Sequence, residues 1–172
     1  HAVAYVMMAF RIAWFKVYHP LAFYAAYFSI RAKAFDLRIM TGDLKTQMTE
    51  FNRIKALDRG ASPKDKDLMS ALEVSMEMYQ RGYRFVNVDI QHSEARRFSI
   101  KDGALLPPFL AIDSLGETVA DAIVAEREER PFTSLKDLQR RCKVSNTIID
   151  LMKELKCCGE LPEDEQMSLF GA

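Results

Sequence analysis

The sequence lacks net charge, a cysteine motif typical of metal sites, and any long uninterrupted apolar run. Lys and Arg together number 24, and so do Asp and Glu, so the total charge does not indicate a polyanionic partner. The three cysteines form no C-x-x-C pair and have no histidine at zinc-finger spacing: Cys142, Cys157 and Cys158. This excludes the common zinc sites and predicts reduced thiols in a cytoplasmic protein.

The most apolar stretch, residues 1–17, is too short for a membrane span of about 20 residues, and Arg11 and Lys16 interrupt it. We therefore expect a buried core helix there and no membrane partner. Pro20 suits the first turn of a second helix over residues 21–32, packed antiparallel to the first. Because the chain opens without Met or a signal-peptide pattern, we also expect a piece of a longer protein.

The middle of the chain predicts two further helices and a small sheet. Apolar residues at spacings of three and four predict one helix over residues 36–57. Ser62, Pro63 and Asp65 form an N-terminal capping signature for the next, which ends near Gly82. Alternation in residues 86–90 then predicts a strand, and Asp102-Gly103 between apolar runs predicts a β-hairpin.

Residues 109–127 predict a helix-hairpin-helix motif. A tight turn at Ser114, Leu115 and Gly116 precedes a segment with apolar residues at helical spacing. The backbone amides of Gly116, Glu117 and Thr118 would then lie at a helix N-terminus, where unpaired N–H groups favour phosphate oxygens whatever the base sequence. A plain helix start remains the alternative for this stretch taken alone.

A second hairpin follows. Ser134 is the predicted N-cap of one helix, with Asp137 three residues on, and Lys143, Ser145 and Asn146 belong to a turn before the next helix at residues 148–155. Residues 130–158 contain seven Lys and Arg against three acids, whereas residues 159–165 contain four acids and no base. Two hairpins in tandem with a local basic excess predict binding to double-stranded DNA.

The C-terminal residues form a polar, acidic segment that we expect to be flexible, followed by a short apolar peptide. Exposed apolar side chains at such an end suggest that a partner covers them. The peptide consists of Gln166, Met167, Ser168, Leu169 and Phe170.

Five segments, residues 1–32, 82–90, 105–124, 131–150 and 166–170, resemble the C-terminal part of the PolC-type DNA polymerase III alpha subunit, and they occur in that family's order. The resemblance implies a fold that is mostly α with a small antiparallel β-sheet. It divides the chain into a helical fingers part (1–82), a sheet connector (83–108), a tandem helix-hairpin-helix domain (109–158) and a clamp-binding tail (159–172).

The resemblance also implies roles for particular residues. His1 and Tyr5 match a fingers helix near the incoming nucleotide, and residues 166–170 match the peptide that binds the sliding clamp. The metal-binding carboxylates of such a polymerase precede His1, and Asp36, Asp43 and Asp89 are isolated on separate elements. We therefore expect no catalytic residue and no cofactor in this chain, and we expect magnesium to be bound elsewhere in the whole polymerase.

Both hairpin turns depart from the family's glycine pattern. Ser114 replaces the usual first glycine of the turn, which predicts a looser or strained first hairpin. The second hairpin also lacks glycine, and Asn146 is the residue there that best tolerates a left-handed conformation. Two other functions remain open: a helix-hairpin-helix adaptor of DNA repair or recombination, and a scaffold that binds only the clamp.

Overall fold

A computed structural model of the chain describes residues 1–164, and these residues form two compact units. Unit 1 contains residues 1–86 and 97–107, whereas unit 2 contains residues 87–96 and, among the described residues, 108–164. The predicted fold class is confirmed, since the chain is mostly helical with one two-stranded antiparallel sheet. Across residues 1–164, no helix is both long and apolar enough to cross a membrane.

Unit 1 is mostly helical and has its own apolar core. Its helices are α1 (Ala2–Tyr18), α2 (Pro20–Ala26, continued by a π-helical turn at Tyr27–Arg31), α3 (Leu37–Met40), α4 (Leu44–Ala56) and α5 (Pro63–Gln80). The core side chains include Tyr24, Phe28, Met40, Ile54, Leu72 and Met78. The predicted start of α5 is confirmed, because Ser62 and Asp65 form a reciprocal capping box and Pro63 occupies the first turn.

The predicted single helix over residues 36–57 is wrong. The chain forms α3 and α4 there, separated by a turn that contains Gly42. Each helix has its own N-cap, since the Asp36 carboxylate accepts from the N–H of Ile39 at 3.0 Å and the Asp43 carboxylate accepts from the N–H of Thr46 at 2.7 Å. The two aspartates leave the spacing of the apolar residues unchanged, so the pattern looks like one long helix. Aspartate nevertheless favours the N-cap position, and each one begins a helix of its own.

The sheet consists of β1 (Ser99–Lys101) and β2 (Ala104–Leu106), with Ser99 opposite Leu106. Asp102 and Gly103 connect the strands and both have positive φ, 50° and 75°. This confirms the predicted β-hairpin, whose turn residues are those that tolerate the left-handed region.

The predicted strand over residues 86–90 is wrong. Only an isolated bridge between Phe85 and Leu105 forms beside it, and the chain then enters a loop of unit 2. The polar residues of the alternating pattern bind the backbone locally: Asn87 accepts from the N–H of Val88, and Asp89 accepts from the N–H of Gln91. Such side-chain bonds compete with a sheet ladder, although Val88 and Ile90 are buried as the alternation predicts.

The expectation that α1 is a core helix is also wrong, because no residue of this fully described helix is buried. Tyr5 and Phe10 are 75% and 72% exposed. Large apolar residues occur on every side of α1, so no single stripe matches one neighbouring face. α1 contacts α5 near its C-terminal end, where Lys16 Nζ lies 2.6 Å from a carboxylate oxygen of Glu77.

Unit 2 is built on three helices, α6 (Glu117–Glu129), α7 (Leu135–Cys142) and α8 (Asn146–Glu154), preceded by a 3-10 turn at Phe109–Ala111. Their shared core includes Phe109, Ile112, Ile123, Leu138 and Met152, all fully buried or nearly so. Cys142, Cys157 and Cys158 are free and buried, and burial raises the pKa of the Cys142 thiol to about 11. These thiols are therefore neutral at physiological pH.

Candidate nucleic-acid interface

The first hairpin turn, Ser114–Gly116, joins the 3-10 turn to α6. Ser114 has φ 63°, so it adopts the left-handed conformation that a glycine would adopt more easily. Leu115 is buried, and its N–H donates to the carbonyl of Ile112 at 3.2 Å. Gly116 is the N-cap of α6, with ψ 155°. The turn therefore keeps a left-handed residue without glycine, at the cost of backbone strain at Ser114.

The second hairpin turn, Lys143–Ser145, joins α7 to α8 and repeats this geometry. Lys143 has φ 56°, Val144 is buried, and Ser145 is the N-cap of α8 with ψ 157°. The residue in the left-handed region is thus Lys143, and the expectation for Asn146 is wrong. Asn146 is the first residue of α8, and its side-chain oxygen accepts from the amide of Gln139 at 2.6 Å.

The two helix starts that follow the turns differ in capping. At α8, the Ser145 hydroxyl accepts from the N–H of Ile148 at 3.3 Å. At α6, Gly116 has no side chain, and within the described part of the chain no side chain caps this start. The predicted residues Glu117 and Thr118 are exposed in its first turn. The N-terminus of α6 therefore presents more uncapped amides than that of α8.

The surroundings of the first hairpin turn are acidic. Residues 109–129 contain six acids and one base. Arg96, which comes from the loop at residues 87–96, bridges two of these acids: its guanidinium lies 2.6 Å from Glu117 Oε2 and 2.5 Å from Asp121 Oδ2. The hydrogen bond from Arg96 lowers the pKa of Asp121. This pairing partly offsets the negative charge at the start of α6.

The helix that leads into the second hairpin turn, α7, contains a buried carboxylate. Asp137 in α7 is 1% exposed, and its oxygens lie 3.2 Å from Arg130, 2.8 Å from Arg140 and 3.3 Å from Arg141. Burial alone would raise the pKa of Asp137, but the N–H of Thr133 and these guanidinium groups lower it to about 2. Asp137 is therefore ionised under ordinary conditions and fixes three arginines around α7.

Arg141 is the most enclosed of those arginines, with a side chain that is only 10% exposed. It lies over the ring of Phe132 at 4.7 Å and 2.9 Å from Glu126 Oε2 in α6. Its guanidinium also donates to the backbone carbonyls of Glu126 and Arg130. Arg141 therefore joins α7 to the end of α6 and belongs to the fold of unit 2.

The local basic excess is smaller in the structure than in the sequence. Five of the seven basic residues between positions 130 and 158 form ion pairs with acids: Arg130, Lys136, Arg140, Arg141 and Lys153. Three of their partners, Glu126, Glu163 and Asp164, lie outside that stretch of sequence. Lys143 is exposed at the second hairpin turn and is the base placed closest to a helix N-terminus there.

The beginning of the C-terminal tail is bound to unit 2. The carbonyls of Pro162 and Glu163 accept from the N–H groups of Leu135 and Lys136 at 2.8 and 3.2 Å. The side chain of Glu163 also lies 2.7 Å from Lys153 Nζ in α8. These contacts form an anchor at the start of α7 and the end of α8.

The predicted nucleotide-proximal and clamp-binding residues are not among those described at the two hairpin turns. His1 and Tyr5 are exposed in the first turn of α1, joined by a backbone hydrogen bond of 3.2 Å, and they belong to unit 1. The five residues of the predicted clamp-binding peptide, 166–170, lie outside the described residues.

Two elements of the site were not predicted. The pairing of Arg96 with α6 had no local signal in the sequence, because Glu117 is 21 residues away. The buried role of Asp137 had a partial signal. Its place three residues after Ser134 predicted the cap that the structure confirms, at 3.0 Å from Ser134 Oγ to the Asp137 N–H.

Comparison with known proteins supports the hairpin interpretation. The family described as the helix-hairpin-helix motif matches residues 82–166. The chain is also 47% identical over 170 residues to the DNA polymerase III PolC-type of Caldanaerobacter subterraneus subsp. tengcongensis, and 48% identical over 173 aligned positions to that of Streptococcus suis. The corresponding value for a Streptococcus pyogenes protein of the same name is 46%.

These alignments cover 99% of the chain but only 12% of each relative. The chain is therefore homologous, over its whole length, to a small part of these proteins.

Proposed function

We propose that this chain is part of a replicative DNA-directed DNA polymerase of the PolC type, and that its unit 2 holds duplex DNA by the phosphate backbone. The observation that supports this most directly is the repeated turn. The first and second hairpin turns have the same backbone course, and each leads into a helix N-terminus. The homology to PolC-type polymerases favours this reading over a repair adaptor.

Phosphate binding would use different means at the two turns. At the first, the amides of Gly116, Glu117 and Thr118 would donate to phosphate oxygens from an uncapped helix start. At the second, Ser145 already caps α8, and Lys143 would supply a positive charge instead. Both modes position a duplex without reading its base sequence.

The proposal assigns unit 1 a role near the nucleotide. His1 and Tyr5 would contact the incoming nucleotide from the exposed first turn of α1. We assign no catalytic carboxylate and no cofactor to this chain. Magnesium would act in the whole polymerase, where metal ions neutralise the charge that develops on the phosphates.

The C-terminal residues would bind the sliding clamp. Leu169 and Phe170 would fill an apolar pocket, Met167 would pack beside them, and Gln166 would donate and accept hydrogen bonds. Ser168 lies between these contacts in the sequence. A clamp held this way keeps the polymerase near DNA at high effective concentration, which suits a cytoplasmic replication enzyme.

The test is binding of the chain to a short DNA duplex across a salt series from roughly 50 to 200 mM, where phosphate contacts lose most of their affinity. We expect steep salt dependence in the unchanged chain. Lys143→Ala should weaken binding and lower the slope of log affinity against log salt by about 1. A truncation before Gln166 should leave DNA binding unchanged and abolish binding to purified sliding clamp.

Lys156→Ala is the matched control, since Lys156 is exposed, has φ 57° and follows α8, and no helix comes after it within residues 157–164. It should bind DNA nearly as the unchanged chain does. Equal losses in the two lysine variants would show that total charge, and not the second hairpin turn, determines binding. No salt-dependent binding at all would overturn the assignment of duplex binding to unit 2.

A further inference from the structure

Arg96 occupies an unusual place for an arginine beside a candidate DNA interface, because it faces acids of its own chain. Its Nε and Nη2 contact the two carboxylate oxygens of Asp121 at 3.1 and 2.5 Å, and its Nη1 contacts Glu117 Oε2 at 2.6 Å. Glu117 and Asp121 are one turn apart at the start of α6. One guanidinium therefore spans both carboxylates in a bidentate and a single contact.

The fold fixes the backbone that presents Arg96. The carbonyls of the two preceding residues, Glu94 and Ala95, accept from the N–H groups of Phe109 and Leu110 at 2.9 and 3.1 Å. The two donors, Phe109 and Leu110, precede the first hairpin turn in the sequence by four to five residues. The backbone just before Arg96 is thus held beside the segment that leads into this turn.

The same loop is bound at the other end of α6. Arg127 donates to the carbonyls of Ile90 and Ser93 at 3.0 and 2.9 Å. Residues 90–96 are therefore tied to both ends of α6, with Arg127 near its C-terminus and Arg96 at its N-terminus. Arg96 therefore has fixed ion-pair partners on α6 and extends from a loop that is itself bound to this helix.

The two carboxylates that Arg96 contacts lie beside the backbone N–H groups at the start of α6. A carboxylate in the first turn of a helix interacts favourably with the same amides that a phosphate would use, and it repels the phosphate. Without Arg96, Glu117 and Asp121 would add two uncompensated charges to a region that already contains the exposed Asp113. An acidic helix start of this kind is a poor anion site.

We infer that Arg96 is a positioning residue for duplex binding: it neutralises and restrains Glu117 and Asp121, so that the backbone N–H groups at the first hairpin turn can donate hydrogen bonds to a DNA phosphate. This inference rests on the proposed function of unit 2. Arg96 acts through the two carboxylates and is not itself the phosphate contact.

The test compares Arg96→Met with the triple variant Arg96→Met, Glu117→Gln, Asp121→Asn, using the full chain and a short DNA duplex at fixed low salt. Arg96→Met should weaken binding roughly two- to five-fold, the effect of uncompensated charge near a helix N-terminus. The triple variant should regain the affinity of the unchanged chain or exceed it. Arg97→Met, at the exposed neighbouring arginine, is the matched control and should leave affinity unchanged.

Recovery of duplex affinity in the triple variant distinguishes a positioning role of Arg96 from a direct phosphate contact and from a structural role. A triple variant as weak as Arg96→Met would overturn it, since the lost group would then be a direct phosphate contact or a structural support. Unaltered affinity in Arg96→Met, with Lys143→Ala still weakened, would overturn the inference and leave the proposed function standing. Failure of the unchanged chain to bind duplex would overturn both. Thermal unfolding of each variant shows whether a loss reflects unfolding.

Discussion

The two hairpin turns of unit 2 share a backbone conformation and differ in the capping and in the charge of the helix starts that follow them. Each has a left-handed residue, then a buried apolar residue, then an N-cap, and a helix begins three residues after the left-handed one. The first turn has an uncapped helix start in acidic surroundings, and the second has a capped start beside a lysine. The same backbone geometry therefore presents different groups at the two turns: uncapped N–H groups at the first and a lysine side chain at the second.

The comparison also separates two kinds of arginine. Arg96 offsets acids at the first turn, whereas Arg141 is enclosed between Phe132, Glu126 and Asp137 and supports the second. Neither is available as a simple phosphate contact. A count of basic residues in a sequence overstates a nucleic-acid surface when such residues are already paired.

The largest effect is expected at the buried carboxylate of α7, Asp137. Asp137→Asn should lower the free energy of unfolding by about 2–3 kcal/mol, because it leaves the enclosed Arg141 without that carboxylate. Urea unfolding measures the change. Asp150→Asn, at an exposed position of α8, is the control and should change stability by less than about 0.5 kcal/mol.

The pH dependence of stability gives an independent check on Asp137. Its pKa is lowered to about 2, so its ionised form is favoured in the folded state. The contribution is fully present above the ordinary pKa of an aspartate, and it is lost as pH falls from roughly 4 towards 2. We expect Asp137→Asn to remove about 1–2 kcal/mol of that acid-dependent loss. A variant with the same acid profile as the unchanged chain would show that other carboxylates cause it.

A smaller effect should follow from moving the lysine between the turns. Ser114 and Lys143 occupy equivalent left-handed positions, so Ser114→Lys adds a charge without changing the kind of backbone strain. We expect tighter duplex binding and a salt slope steeper by up to about 1. Ser114→Gln is the uncharged control of similar length. No gain in the lysine variant would mean that the acids around the first turn prevent phosphate from approaching it.

The smallest effect concerns the strain at the first turn. Ser114→Gly should stabilise unit 2 by less than about 1 kcal/mol, because relief of the left-handed conformation is partly cancelled by the greater freedom of glycine in the unfolded chain. Ser114→Ala, which keeps a Cβ, should show no such gain. Thermal unfolding compares the two, and a destabilised glycine variant would contradict the strain assigned to Ser114.

Local signals explain how much of the fold was predictable. The capping box at Ser62, the cap at Ser134 and the hairpin at Asp102 and Gly103 each depend on residues three or fewer positions apart, and each is confirmed. The helix-hairpin-helix prediction likewise rests on a contiguous pattern, which the family match supports.

Two of the wrong predictions, the strand over residues 86–90 and the single helix over residues 36–57, have one physical cause: polar side chains that hydrogen-bond to nearby backbone N–H groups. Asn87 and Asp89 bind nearby N–H groups, so an alternating apolar pattern became a loop. Asp43 caps the start of α4 within residues 36–57, whose apolar periodicity predicted a single helix. Periodicity reports which residues are buried, and it does not report where the backbone hydrogen bonds go.

The site was predictable in position but not in electrostatics. The turns follow from local pattern, whereas the pairs of Arg96 with Asp121 and of Arg141 with Glu126 join residues 25 and 15 positions apart. The roles of His1, Tyr5 and residues 166–170 stay predictions.

The anchor formed by residues 162–164 has a mechanical consequence. It lies at the start of α7, about 12 Å along that helix from Lys143, given eight helical residues. A load applied through the C-terminal segment would reach the two backbone hydrogen bonds and the exposed ion pairs of the anchor before it reached the buried core. Exposed ion pairs are weak and the anchor has only two backbone hydrogen bonds, so we expect it to separate from α7 and α8 before the buried core of unit 2 opens.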